Sequence, residues 1–327
     1  MAKIYNFQDC PLSDRNGTYG GNSGDKEGIL IRDEPWIVKY PKSGKTLHNA
    51  DLSYTASPVS EYLGSHIYEL LGYPVHETLL GVRNHHVVVA CRDFCDDHHR
   101  LVEFRQLKNT YNAILNEKLS LSMTSTGSDH FVNLNEVRIH LQYNPSVQNI
   151  PGLSERFWDC VVIDGLINNN DRNNGNWGIL RGPEGDMPAP IFDNGASFSP
   201  NVPDDKLLQR LKNPQALQQS ACSGRTAYSL DGERSASFQE LLKADVPEVR
   251  DALIRTYPNI RYHLSGMYDL IQNIPEQIGP VHIISAERKE EYIQELSTRF
   301  SRMLEPALAR VEEEEKKQRR SRDEMER

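Results

Sequence analysis

The sequence predicts an α/β chain of the α+β kind. It should form a small β-rich lobe over about residues 1–95 and a larger helical lobe over about 96–327. Three observations carry this expectation. Short apolar and β-branched runs crowd into the part before residue 95. One helix with clear start and stop signals interrupts them. Past about residue 100 the pattern turns mostly to helix and loop.

Taken in order, Gly28 to Ile31 and Trp36 to Tyr40 read as strands joined by a turn around Asp33 and Glu34. Ser57 is the candidate N-cap of the helix, Pro58 suits its first turn, and Val59, Leu63, Ile67 and Leu70 recur at helical spacing until Gly72 and Pro74 stop it. HETLLGV and HHVVVACRDF are strand-like and end in polar DDHHR. Glu155 to Ile167 predicts a helix buried on several sides. A polar loop, NNNDRNNGNWG from Asn168 to Gly178, follows it. Then come a short strand (Trp177 to Leu180), a Gly/Pro-rich turn (Gly182 to Pro190) and a second strand entering IFDNGASF. The tail is a charged helix or disordered end, where Glu312 with Lys316 and Glu313 with Lys317 stand four apart.

Composition narrows the function classes. No apolar run nears the roughly 18 residues needed to span a bilayer, and MAKIYNFQDC lacks the apolar core of a signal peptide. A net charge of −9 argues against a nucleic-acid footprint and a membrane surface, both of which favour a basic face. Five cysteines, an odd and sparse set, suit a reducing, cytoplasmic setting.

The loop at Asn168–Gly178 carries the chemistry. Asp171 and Asn176 stand five apart, and Asp193 opens Asp-Asn-Gly after a strand–turn–strand. Phosphoryl transfer from ATP needs these roles: a carboxylate at the attacking hydroxyl, an amide and a second carboxylate on Mg²⁺. A protein-kinase catalytic loop has Asp and Asn at this spacing and a metal-binding Asp before a glycine downstream. Upstream, Gly20, Gly21, Asn22, Ser23 and Gly24 form a glycine-rich turn before a strand, able to bring backbone N–H groups close to phosphates. Lys39 then stands like the phosphate-binding lysine of a third strand, and Glu61 on the next helix like its partner, with Glu69 as a rival. The strand and linker from Ala90 through Arg92 to Phe94 would offer backbone to adenine. This order of parts is that of a bilobal protein-kinase-like fold.

The stretches YGGNSGDKEGILI, WIVKYP, SPVSEYLGSHIYELLGYPVHETLLG, FWDCVVIDGLINNNDRNNGNWG and PIFDNGASF together resemble the HipA-like Ser/Thr protein kinases, in particular their compact CtkA-type members. The resemblance covers roughly Gly20 to Phe198. It implies Asp171 as the catalytic residue, Asn176 and Asp193 as metal ligands, Lys39 as the ATP lysine, and a protein substrate. It also implies autophosphorylation in the glycine-rich loop, where Ser23 is the matching hydroxyl, with Thr18 and Tyr19 nearby. Some relatives answer to a repressor partner, so such a partner is an open expectation. The family usually reads Asp-Arg-His in the loop; here Asn173 replaces the histidine, and Asn170 and Asn173 are candidates to hold the loop instead. Two other readings stay open: a lipid or small-molecule kinase of the same fold, and a nucleotide-binding pseudokinase scaffold.

Competing motifs are weaker. KSGKT, Lys42 to Thr46, ends like a Walker A motif, but Lys39 stands where its first glycine belongs. Cys91, Cys95, His98 and His99 are too compressed for a structural zinc site. Aligned as a calcium loop, the Asn168–Gly178 region puts Arg172 and Arg181 where acids are required. Asp164, in the buried helix, is expected to hydrogen-bond the loop backbone rather than to act in catalysis.

Overall fold

The computed structural model describes residues 2–16, 26–45, 47, 52–124 and 131–325. Its first part is a five-stranded sheet. Strand β1 (Tyr5–Asn6) is followed by β2 (Lys26–Ile31) and β3 (Glu34–Lys39), then helix α1 (Ser57–Leu70), then β4 (Thr78–Arg83) and β5 (His86–Arg92). The spatial order is β1-β4-β5-β3-β2, antiparallel except for the β1–β4 pair.

Both hairpins close on two residues with positive φ, Arg32 and Asp33 in one, Asn84 and His85 in the other. That backbone matches the right-handed twist of the strands it joins. The first turn therefore falls on Arg32–Asp33, one residue earlier than expected, and Glu34 already belongs to β3. Alternation along β3 and β5 sorts the side chains. Trp36, Val38, Val88 and Ala90 join Phe7 and Ile29 in an outer apolar cluster, which turns Ile37, Lys39, Val89 and Cys91 to the opposite face. Helix α1 packs on that face. Its N-cap is Ala56 rather than Ser57, with Ser57 and Pro58 inside the first turn; the Ser57 hydroxyl bonds Thr55 Oγ1 at 2.8 Å instead.

The remainder is mainly helical. Strand β6 (Arg100–Glu103) runs into α2 (Phe104–Leu119), and β7 (Val132–Asn133) into α3 (Leu134–Tyr143). Helix α4 (Leu153–Ile167) begins two residues before the expected start and is buried on nearly every side. Hairpin β8 (Gly178–Gly182) and β9 (Gly185–Pro188) pairs with β6, so the stretch past residue 100 holds more strand than its pattern suggests. No strand enters IFDNGASF. Ile191 makes one parallel bridge to Val75, because Pro190 has no N–H to give a ladder and Asp193 takes a left-handed φ of 59°.

Helices α5 (Asp204–Leu211) and α6 (Pro214–Ser223), strand β10 (Tyr228–Ser229) and helices α7 (Phe238–Lys243), α8 (Pro247–Gln272), α9 (Ala286–Arg299) and α10 (Glu305–Met325) follow, with a short hairpin of β11 (Gln277–Ile278) and β12 (Val281–His282) between α8 and α9 and a π-helical turn (Phe300–Leu304) between α9 and α10. α8 packs along both α1 and α4, so one core joins the two parts. The tail is helical, with Glu313 and Lys317 paired at 2.8 Å. All five cysteines are free. Among the described residues no helix is long and apolar enough to cross a membrane.

Candidate active site

Lys39 leaves the cleft face of β3 and meets two carboxylates. Its Nζ lies 2.7 Å from Glu61 Oε2 and 2.7 Å from Asp193 Oδ1. Glu61 stands in the first turns of α1, and Asp193 follows the β8–β9 hairpin. The rival Glu69 lies two turns on and pairs with His66 at 2.8 Å. Glu61 Oε1 also accepts the Asn194 N–H at 2.8 Å and lies 3.1 Å from His76 Nε2. Burial alone would raise the Glu61 carboxyl, but Lys39 and His76 more than offset it and hold it well below the usual range. Burial likewise opposes the Lys39 charge, and Asp193 and Glu61 together raise that lysine well above its ordinary value. Lys39 holds Asp193 ionised.

The asparagine-rich loop folds on its own side chains, as Asx residues allow. Asn168 leaves α4 in a left-handed conformation, φ 55°. Asn173 donates from Nδ2 to Asp171 Oδ1 at 3.1 Å and accepts the Gly175 N–H at 2.8 Å. Asn176 Nδ2 donates to the Asp171 carbonyl at 2.5 Å. The Arg105 N–H donates to the Asn174 carbonyl at 2.8 Å, tying the loop to α2. Asn173 thus holds the loop, whereas Asn170 is exposed at the cavity wall. Burial raises the Asp171 carboxyl above its ordinary value; the Asn173 bond opposes this and the Asp193 charge adds to it.

Beneath the loop sits a second ion pair. Arg172 donates from Nε to Asp164 Oδ2 and from Nη2 to Asp164 Oδ1, both at 3.0 Å. Its remaining bonds reach the carbonyls of Asn176 and Phe192 and, at 2.5 Å, Asn194 Oδ1. Tyr68 and Tyr228 donate hydroxyls to Asp164 at 2.8 and 2.7 Å, and Asn169 Nδ2 donates at 3.1 Å. Asp164 is therefore structural, but its carboxylate serves loop side chains, not the loop backbone as expected, because Arg172 reaches it first. One guanidinium links the segment carrying Asp171 and Asn176 to the segment carrying Asp193.

Two cavities flank this cluster. One, about 660 Å³, is lined by Lys26, Lys39, Lys42, Asp171, Asp193 and Arg225 among others. The second, about 740 Å³, is lined by Ile37, Cys91, Phe94, Leu101, Asn176 and Phe192, with Lys39, Arg92 and Asp193 at its edge. Of the expected adenine stretch, Arg92 and Phe94 stand on this wall. Ala90 does not: its side chain fills the outer cluster and its backbone pairs with β3 and β4, so Cys91 takes its place. Gly20, Gly21, Asn22, Ser23 and Gly24, with Thr18 and Tyr19, lie outside the described residues. Lys42 of KSGKT lines the first cavity, and among the described residues the next helix begins at Ser57. Cys91, Cys95, His98 and His99 do not converge; His99 pairs with Asp96 at 3.0 Å.

Sequence reasoning missed His76, Arg172, Asn194 and Tyr228. A motif reading could have found Arg172, which is adjacent to Asp171. Nothing in the local pattern marks Tyr228, which reaches the site only through the fold.

No protein-family profile matches the chain. A Helicobacter pylori protein, serine/threonine-protein kinase CtkA, is 32% identical over 301 residues, 90% of this chain and 87% of its own length. The crystal structure of a Helicobacter pylori proinflammatory kinase CtkA superposes with a TM-score of 0.81 at 30% identity, covering 95% of this chain and 98% of that one. HipA of Shewanella oneidensis MR-1, solved with HipB and operator DNA, matches with a TM-score of 0.51 at 12% identity over 90% of this chain and 69% of that one, a likeness of fold alone. Sequence identity along nearly the whole length, on a shared fold, makes this chain a member of the family of the serine/threonine-protein kinase CtkA.

Proposed function

We propose that the chain transfers the γ-phosphoryl group of ATP to a serine or threonine hydroxyl of a protein. The observation that carries this reading is the Lys39 ammonium held between Glu61 and Asp193, on the wall of a cavity that Asp171 also lines. The site sits where residues 1–95 and 96–327 would meet as two lobes.

Asp171 orients the acceptor hydroxyl and takes its proton as the oxygen attacks. A carboxyl raised by burial is a better base near neutral pH than a fully solvated one. Asn173 fixes one oxygen of that carboxylate and leaves the other for substrate. Lys39, already charged and oriented, offers a fixed cation to the phosphates, which costs little reorganisation during transfer. The segment Gly20–Gly24 would cover the phosphates from above, and Arg92, Phe94 and Cys91 would line the base pocket.

The donor set also suits Mg²⁺. Asn176 spends its amide nitrogen on the Asp171 carbonyl, so the oxygen is the atom it presents, and Asp193 stays ionised beside Lys39. Two hard oxygens with room for water and phosphate fit that ion. Mg²⁺, when bound, would neutralise the charge of the transferring phosphoryl group. We further propose a cytoplasmic location, a repressor partner, and self-modification at Ser23.

The test is ADP formation by purified protein with Mg²⁺ and ATP, with a protein acceptor, wild type beside Asp171→Asn. Phosphoserine or phosphothreonine in the wild-type reaction only is the expected result. Nucleotide binding without ADP from either protein would favour a scaffold, and ADP only on addition of lipid vesicles would favour a lipid acceptor.

A further inference from the structure

The cavity that holds Asp171 is lined in part by the segment between α6 and α7. Arg225, Thr226 and Ser235 line it there. Of the described residues on this cavity, three carry aliphatic hydroxyls: Ser57, Thr226 and Ser235. Ser57 is bonded to Thr55 at 2.8 Å, and Thr226 Oγ1 donates to the Ala236 carbonyl at 2.8 Å. The Ser235 hydroxyl has no partner among the described residues, and the residue is half-buried at the cavity edge.

Its backbone is held in place. The Ser235 carbonyl accepts from Arg225 at 2.8 Å and from Arg234 at 3.3 Å. The next residue, Ala236, pairs its N–H with the Tyr228 carbonyl at 2.7 Å and its carbonyl with the Thr226 N–H at 2.8 Å. Arg225 and Arg234 also share one carboxylate, Glu240, at 3.2 and 2.7 Å. Glu240 has a second task, since it closes the capping box of α7 with Ser237. The two guanidiniums are each about half exposed. A dianion placed on Ser235 would therefore find two arginines whose present partner is needed elsewhere.

We propose that Ser235 is an intramolecular phosphorylation site, modified by the Asp171 centre of the same chain and held afterwards by Arg225 and Arg234. The inference rests on the kinase reading above. Ser235 Oγ forms a bond to the γ-phosphorus of ATP as the bond from that phosphorus to the β–γ bridging oxygen breaks. ADP leaves with the electron pair, and the hydroxyl proton passes to the Asp171 carboxylate.

The experiment incubates full-length protein with Mg²⁺ and ATP, follows ADP, and maps phosphate on peptides by mass spectrometry. Phosphate at Ser235, counted on its own peptide and apart from any at Ser23, is expected in wild type, with the rate per molecule unchanged on dilution. It should be lost in Ser235→Ala, retained as phosphothreonine in Ser235→Thr, and absent from Asp171→Asn, even when a distinguishable Asp171→Asn chain is mixed with wild type. Phosphate transfer to an added protein with residue 235 unmodified overturns this inference and leaves the kinase reading standing. Labelling of Ser235 on the Asp171→Asn chain in the mixture overturns the intramolecular route. No ADP from wild type takes down the kinase reading and this inference with it.

Discussion

Two carboxylate–cation clusters lie on either side of the same loop, and they are built for opposite ends. In the lower one Asp164 and Arg172 are almost wholly shielded from solvent. The Asp164 oxygens accept from Arg172, Tyr68, Tyr228 and Asn169, which fills their hydrogen-bonding capacity. In the upper one Lys39 bridges Glu61 and Asp193, yet the Asp193 side chain remains 36% exposed and stands on the walls of both cavities. A saturated buried pair holds backbone in register. An open pair keeps unused valence for a ligand. The comparison teaches that charge pairing by itself does not mark a reactive site; what distinguishes one is the capacity left over.

Replacing Arg172 by Ala should have the larger thermodynamic effect, because it leaves the Asp164 carboxylate buried without its cation. A loss of about 3–5 kcal/mol in urea unfolding is expected. A variant as stable as wild type would show that the lower cluster does not hold the loop.

For the upper cluster, Glu61→Gln should leave the fold intact and lower kcat more than it raises KM for ATP. The amide still bonds, but it no longer balances the Lys39 charge. About a tenfold drop in kcat is expected, one decade for each 1.36 kcal/mol of barrier. Unchanged turnover in this variant would mean that the Lys39–Asp193 contact suffices alone.

The finest distinction concerns Asn173, whose bond to Asp171 opposes the upward push of burial. In the role proposed for it Asp171 acts as a base in its ionised form, so activity is expected above its pKa and should be lost as pH falls through it. Removing the bond in Asn173→Ala should move that acid limb of kcat/KM to higher pH. Asn173→His, which restores the residue usual in the family, should bring it back if the imidazole bonds the same oxygen. An acid limb that stays put in Asn173→Ala would reduce Asn173 to a loop brace.

The buried His140 gives an independent check on the helical part. Burial and the nearby Lys108 push it down to about 4. It bonds Asn112 Oδ1 through Nε2 and Asn144 Nδ2 through Nδ1, a neutral arrangement. Its folded-state pKa is depressed, so its contribution is present above the ordinary value of 6.5 and is lost as pH falls toward 4. Thermal midpoints should decline across that window in wild type and less steeply in His140→Gln.

Much of the upper cluster was legible in the sequence. Lys39 reads as the lysine of the site from its place in the order of parts, after the glycine-rich turn and on the strand that follows, although WIV before it is apolar at every position and only pairing sets the face it takes. Glu61 reads as its partner because the helix signals place it near the start of α1. The strand–turn–strand between Asn176 and Asp193 implies a hairpin that brings both back to one edge. The parity of β5 was less legible: VVVAC is apolar at every position, so no alternation says whether Ala90 or Cys91 faces the cleft. Pairing with β3 and β4 decides that, and a slip of one residue would reverse it.

The sequence by itself determined the α+β class, the order of the reactive residues and which types stand at which spacing, because these depend on local propensity and short-range periodicity. Only the tertiary structure decided that Tyr68, Asp164, Arg172 and Tyr228 form one network and that Ser235 faces the cavity of Asp171. Tyr68 and Asp164, for example, are 96 residues apart along the chain. Contacts at such separations are set by helix packing around the common core, and no local pattern records them.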